Sequence, residues 1–224
     1  MTRSRLRLLD LFCGGGGAAK GYVDAGFDVT GVDIVFQRHY PFRFIQCDAL
    51  EYVAKHGHEY DSIHASPPCQ AYSATRYIPN RRDIARVDLV AQTRVALEAT
   101  GRLWVIENVV GSPLRSPLLL CGTMFGLLVY RHRLFESPLL LFGMAHPVHR
   151  VRIKSGRLAH YQGQPGRMVT VAGHMFSARA AATAMGIDWM TRDELAQAIP
   201  PAYTRLIGTQ LLRALAPTRD EVSA

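Results

Sequence analysis

The sequence predicts an α/β fold built on a mostly parallel sheet, with a small irregular appendage, and three observations predict it. An apolar run near the amino terminus leads through four consecutive glycines, Gly14 to Gly17, into a helical pattern. Further short apolar runs then alternate with helical stretches, and each run stops at a polar or reactive residue. From about residue 138 to 170 the pattern becomes irregular and rich in Gly, His and Pro, before regular helical periodicity returns.

Composition sets the outer bounds. With 224 residues, 48% hydrophobic and 20% charged, the chain can bury one sizeable core and carry a small extra segment. Cys13, Cys47, Cys69 and Cys121 are widely spaced with no Cys-x-x-Cys pair, which argues against a disulfide framework or a zinc site and fits a reducing cytoplasm. The basic opening followed by Leu8 and Leu9 imitates a signal peptide, but Asp10 and the glycines cut the apolar stretch short, and nothing reaches membrane-spanning length. The formal net charge is +8, and between Arg131 and Arg179 the only acid is Glu136 while Arg133, Arg150, Arg152, Lys154, Arg157 and Arg167 fall in that stretch. Such a run suits phosphate contacts and hence a nucleic-acid partner; a merely soluble basic face is the plainer alternative.

In chain order, residues 5–12 form a first strand and residues 18–25 a helix closed by Gly26. Glycines admit a ligand close to the backbone, and the helix start offers free amides to an anion or carboxylate. A second strand over 28–34 ends in Asp33, where a ribose-binding acid follows a glycine turn in Rossmann-like units. A third ends at 46–48 and a helix spans 49–57, so Asp48 is either a ligand acceptor or a helix cap. The apolar run 60–65 is stopped by Pro67 and Pro68, which leaves Cys69 on a loop at a strand's carboxyl end, the edge where open α/β sheets bind ligands.

A free cysteine is by itself more often a small buried hydrophobe, and the neighbours here favour chemistry. Residues 72–82 interleave aromatic and basic side chains without apolar periodicity, as a mobile catalytic loop would. A helix over 83–100 leads to the apolar strand 103–106 and then Glu107, and a carboxylate at the end of a buried strand is costly unless paired or reactive. The next strand, 130–136, places Arg131 and Arg133 on one face. His146, His149 and His160 have a spacing that matches no metal motif, so they are read as surface groups. Helices follow over 177–185, over 191–198 with Thr191 and Glu194 as a capping box, and from Pro200-Pro201 to about residue 215.

Asp10-Leu11-Phe12-Cys13 with the four glycines, Pro68-Cys69-Gln70, Glu107-Asn108-Val109, Arg131-x-Arg133 and the closing stretch 198–211 together resemble the cytosine-5 DNA methyltransferases, in the family's order from residue 8 to 215. Two positions depart from that pattern: Val129 stands where the family has glutamine before the arginines, and Gln197 where it has asparagine. The resemblance implies a Rossmann-like, S-adenosylmethionine-dependent methyltransferase fold. Residues 1–137 would be its catalytic core, 138–172 a reduced recognition segment, 173–216 helices returning to the core, and 217–224 a tail. It further implies Cys69, Glu107, Arg131 and Arg133 as catalytic residues. Asp10, Phe12, Gly14, Gly15, Gly16, Gly17, Asp33, Ile34, Asp48, Pro67 and Gln197 would hold the cofactor. The expected partner is double-stranded DNA, acted on by a cytoplasmic monomer without metal or membrane. An RNA cytosine-5 methyltransferase, an enzyme acting on free deoxycytidylate and a non-catalytic nucleic-acid-binding subunit are the alternatives. A recognition segment this short and basic predicts a target of about two to three base pairs, because base-specific reading needs an extended surface.

Overall fold

The computed structural model describes residues 4–69, 72, 88–149, 168–171 and 176–216. Within them lie seven strands: β1 Arg7–Leu11, β2 Asp28–Asp33, β3 Arg43–Gln46, β4 Ser62–Ala65, β5 Leu103–Asn108, β6 Leu118–Leu120 and β7 Arg133–Glu136. The helices are α1 Gly17–Ala25, α2 Ala49–His56, α3 Val90–Ala99, α4 Ala178–Met185, α5 Arg192–Gln197 and α6 Pro201–Leu215. One sheet takes all seven strands in the order β3-β2-β1-β4-β5-β7-β6, parallel except for β7, which runs antiparallel to both β5 and β6. The order reverses between β1 and β4, so a crevice opens beyond their carboxyl ends. This is the mostly parallel α/β architecture expected from the sequence.

Both sheet faces are covered. Leu8, Val29 and Val105 pack under Tyr22 of α1 and Tyr203, Ile207 and Leu211 of α6. Leu9, Leu11, Ile63 and Ile106 pack under Val53 of α2 and Leu97 of α3. A smaller cluster joins Val129, Val169 and Val171 to α4 and α5. The α1 and α6 helices meet closely because Gly21 has no side chain: a Cβ there would collide with the Pro201 carbonyl and the Thr204 hydroxyl. Thr204 Oγ1 uses that closeness to donate to the Ala18 carbonyl at 2.8 Å, which fixes the closing helix against the helix that follows the glycines.

Local signals explain most boundaries. Gly26, at φ 120°, ends α1 by donating to the Tyr22 and Val23 carbonyls. Thr191 and Glu194 form the expected capping box on α5, and Pro201 opens α6. The strand expected over 130–136 starts only at Arg133. Before it, the Tyr130 carbonyl is taken by the Gly122 amide at 2.9 Å and Arg131 turns to φ 26°, so the chain is bent where pairing should have begun. Residues 127–129 contribute one isolated bridge, Val129 to Val169. Asp88 and Leu89 precede α3 rather than belonging to it, with Asp88 Oδ1 accepting from the Val90 amide at 3.0 Å. The expected helical residues 83–87 lie outside the described residues.

Candidate active site

Strand pairing brings distant parts of the sequence into one row. Leu11 lies beside Ala65 and Ala65 beside Ile106, so Phe12, Ser66 and Glu107 follow in register along the carboxyl edge. Side chains alternate along a strand, and Asp10 pairs with Gly31 on one side and His64 on the other. Asp33, Asp10, His64 and Glu107 therefore share the face covered by α1. Three acids thus meet where the sheet switches direction.

The glycine turn is shaped around this edge. Phe12 takes φ 56° and Gly16 φ 86°, conformations that fold the chain tightly back into α1. A Cβ on Gly14 would meet nothing within 4 Å, so the space above the turn is open, whereas one on Gly17 would run into the Ile199 backbone. Gly15 is roofed by Met190, and its carbonyl accepts from Trp189 Nε1 at 2.9 Å. Asp33 spans the two turns: Oδ2 accepts from the Gly14 amide at 3.0 Å and Oδ1 from the Val35 amide at 2.9 Å. Each of these oxygens keeps a lone pair for a ligand hydroxyl. Beside it Ile34, Val35 and Phe36 are exposed and form an apolar lip.

Asp10 is the electrostatic oddity of the turn. It is fully buried, and neither carboxylate oxygen has a hydrogen-bond partner. Burial, with the negative charge of Asp33 and to a lesser degree Glu107, pushes its carboxyl well above the usual range; the Ala19 amide offsets part of this without closing a hydrogen bond. A cationic ligand placed over the turn would relieve all three acids at once. Asp48 caps α2, its Oδ1 accepting from the Leu50 and Glu51 amides at 2.9 and 3.0 Å, the plainer of its two expected roles. Gln197 is the exposed last residue of α5.

Cys69 stands on the loop after β4, half-buried, with its carbonyl held by the Tyr72 amide at 3.0 Å. Burial raises its thiol pKa, Arg133 and Arg131 pull it back down and Glu107 adds to the rise. The buried Pro67 carbonyl accepts from Asn108 Nδ2 at 3.0 Å, which ties the cysteine loop to the end of β5. On that strand Glu107 is buried, and Arg133 Nε lies 2.9 Å from its Oε1 at an angle too poor for a hydrogen bond. Burial raises the Glu107 carboxyl, and Arg133, Ser66 and Arg131 offset that in decreasing order. The net shift is upward, toward the protonated form.

The two arginines part company. They were expected side by side on one strand face; instead Arg131 precedes the strand, and its guanidinium donates to the carbonyls of Ala198 (2.6 Å), Val171 (2.7 Å) and Ala196 (2.8 Å). That side chain clamps the returning segment to the core and reaches Cys69 and Glu107 only through its field. Arg133 alone pairs with the acid.

A buried hydrogen-bonded histidine near Glu107 escaped sequence reasoning. His64, fully buried in β4, bonds Tyr22 Oη through Nδ1 and Ser66 Oγ through Nε2, each at 2.9 Å, and burial drives its pKa down to about 3, so it is neutral. Ser66 in turn lies close enough to Glu107 to lower its carboxyl pKa. The signal was a single histidine inside an otherwise apolar run, two residues before the loop. A surface cleft lined by Lys20, Arg179, Asp188 and Trp189 lies elsewhere, and none of Asp10, Asp33, Cys69 or Glu107 borders it. Apart from Tyr72, the expected catalytic loop falls outside the described residues, and so do Arg150 to Arg167 and His160.

No family model matches the chain and no curated protein matches it in sequence. Solved structures do. The Dnmt2 methyltransferase of S. pombe superposes with a TM-score of 0.61 at 16% identity, over 95% of this chain and 100% of that one. The Entamoeba histolytica methyltransferase EhMeth gives 0.58 at 12%, over 96% and 100%. A DNA modification methyltransferase encoded within an E. coli prophage gives 0.57 at 14%, over 94% and 99%. The fold is therefore that of the Rossmann-like methyltransferases, along nearly the whole chain.

Proposed function

We propose that the chain is a DNA cytosine-5 methyltransferase, using S-adenosylmethionine and a covalent Cys69 adduct. The observation that carries this reading is Cys69 on the loop after β4, with a buried Glu107 of raised pKa near the end of the neighbouring β5 and Arg133 paired to that acid and acting on the thiol through its charge. The fold shared with a prophage DNA modification methyltransferase and with Dnmt2 supports it.

S-adenosylmethionine would supply an electrophilic methyl group on a sulfonium. Its ammonium and sulfonium suit the Asp10, Asp33 and Glu107 edge, its ribose suits the spare lone pairs of Asp33, and its adenine suits the apolar lip at Ile34. Phe12, Gly14 to Gly17, Pro67, Asp48 and Gln197 are the further residues that would hold it.

Carbon 5 of cytosine is a poor nucleophile until carbon 6 gains an electron pair. The Cys69 thiolate adds to carbon 6, while Glu107 donates a hydrogen bond to ring nitrogen 3 and accepts one from the exocyclic amine. The upward shift of the buried carboxyl favours the protonated form that this donation needs. Carbon 5 would then take the methyl group, the sulfonium leaving as a neutral thioether; the carbon 5 proton passes to a solvent base and the bond from carbon 6 to Cys69 breaks, returning the thiolate. A base inside a duplex cannot reach Cys69, so it must be flipped out of the stack.

Incubation with tritiated S-adenosylmethionine and, in parallel, duplex DNA and tRNA tests the reading. Label on DNA, and covalent trapping by a duplex carrying 5-fluorocytosine, are expected; label on tRNA alone would move the substrate to RNA. A Cys69→Ala variant that still transfers methyl overturns the mechanism. Bisulfite sequencing of the product tests the short target: methylation confined to one motif of more than about five base pairs would mean that other residues read the bases.

A further inference from the structure

We propose that Cys121, His132, His146 and His149 form a structural zinc site. Their ligand atoms, one sulfur and three imidazole nitrogens, all lie within 4.8 Å of one another. His149 Nε2 is 3.3 Å from Cys121 Sγ, and His132 Nε2 is 3.0 Å from His146 Nε2. In a tetrahedral zinc site, bond lengths of about 2.0 to 2.3 Å put neighbouring ligand atoms about 3.3 to 3.6 Å apart. The cluster is already near that size.

The surroundings are those of a held site rather than a chance gathering. Cys121 is fully buried at the end of β6, with Thr123 Oγ1 3.1 Å from its sulfur, where the hydroxyl can donate to a thiolate. The His149 ring is stacked on Tyr130 with centroids 3.7 Å apart, and the three imidazoles face each other at 4.8 to 5.1 Å. Protonated imidazoles would repel at such distances, whereas neutral ones can turn three lone pairs toward one cation. Four protein ligands leave no open position, which marks the site as structural, and the sulfur and nitrogen donor set suits zinc. On binding, Cys121 gives up its thiol proton to solvent.

The sequence spacing hid this site. Ten residues separate Cys121 from His132 and thirteen separate His132 from His146, with only His146 and His149 close, as His-x-x-His. Folding brings the groups together because β6 and β7 are paired and the segment after β7 returns across them. His132 adjoins Arg133, the partner of Glu107, and His149 is the last described residue before the basic stretch 150–167. A metal here would pin the entry of that stretch beside the catalytic arginine. The metal-free expectation taken from the sequence weighed His146, His149 and His160; the structural grouping replaces His160 with His132 and adds Cys121.

The test uses tag-free full chain, purified without chelator from zinc-supplemented culture and analysed by elemental mass spectrometry. About one equivalent of zinc is expected, and cobalt exchanged into the protein should give visible tetrahedral bands with a thiolate charge-transfer band in the near ultraviolet. Cys121→Ser should abolish the charge-transfer band. His146→Ala, at an exposed position that leaves the fold intact, should weaken zinc at least about 100-fold in chelator competition. Wild-type protein with less than about a tenth of an equivalent after zinc reconstitution, or a His146→Ala protein that keeps wild-type affinity, overturns the proposal. Stoichiometric copper or nickel in place of zinc overturns the assignment of the metal.

Discussion

Strand β7 carries a buried arginine–glutamate pair at each end, and the two are built differently. At its last residue, Glu136 takes Arg94 through both oxygens, at 2.6 and 2.8 Å, and accepts the Arg115 amide as well, while Arg94 also donates to the Pro113 carbonyl. Every strong group there is satisfied, and Glu136 holds the Arg94 guanidinium above its ordinary pKa. At its first residue, Arg133 meets Glu107 at one oxygen and a poor angle, and the acid stays protonated more readily than usual. A saturated pair fixes α3 and the 113–115 turn to the sheet; an unsaturated one keeps hydrogen-bonding capacity for a substrate. Under the proposed function, one strand thus carries one pair that holds the fold and one left free for chemistry.

Breaking either pair should expose that difference. Arg94→Ala leaves Glu136 buried without a countercharge, and urea denaturation should show a loss of about 3 to 5 kcal/mol. Replacing both partners, Arg94→Met with Glu136→Leu, should recover most of it, since the cost is an uncompensated charge rather than a missing attraction. Arg133→Ala should instead leave the denaturation midpoint close to wild type and lower single-turnover methyl transfer about 100- to 1,000-fold. If Arg133→Ala proved the more destabilising of the two, the comparison would fail.

The orphaned Asp10 gives a smaller, pH-dependent effect of the same kind. An acid whose native pKa lies above its unfolded value binds protons better when folded, so stability falls as pH rises past the unfolded value of about 4. Without ligand, Asp10→Asn should therefore be more stable than wild type at pH 7, by on the order of 1 to 2 kcal/mol, and lose that advantage near pH 4. Calorimetry should at the same time show weaker S-adenosylmethionine binding. Asp48→Ala should cost least, about 1 kcal/mol, through loss of the α2 cap. Equal cofactor affinity in that variant would leave Asp48 the cap alone.

Sequence alone determined what depends on neighbours along the chain. Strand runs, the glycine turn, the Gly26 stop and the Thr191–Glu194 box are set by steric and hydrogen-bonding preferences over a few residues, so they could be read directly. The placement of Cys69 and Glu107 at strand ends followed in the same way, from prolines and from apolar runs that stop. What only the tertiary structure decided is which polar groups meet. Arg131 and Arg133 alternate in sequence, yet a bend at φ 26° sends one guanidinium to the carbonyls of residues 171, 196 and 198 and leaves the other for Glu107. His64 looked like part of an apolar run until Tyr22 and Ser66 closed on it, and Cys121 looked isolated until β6 and β7 paired. Apart from Ser66, those partners lie more than ten residues apart, and local periodicity carries no record of a contact made only when the sheet assembles.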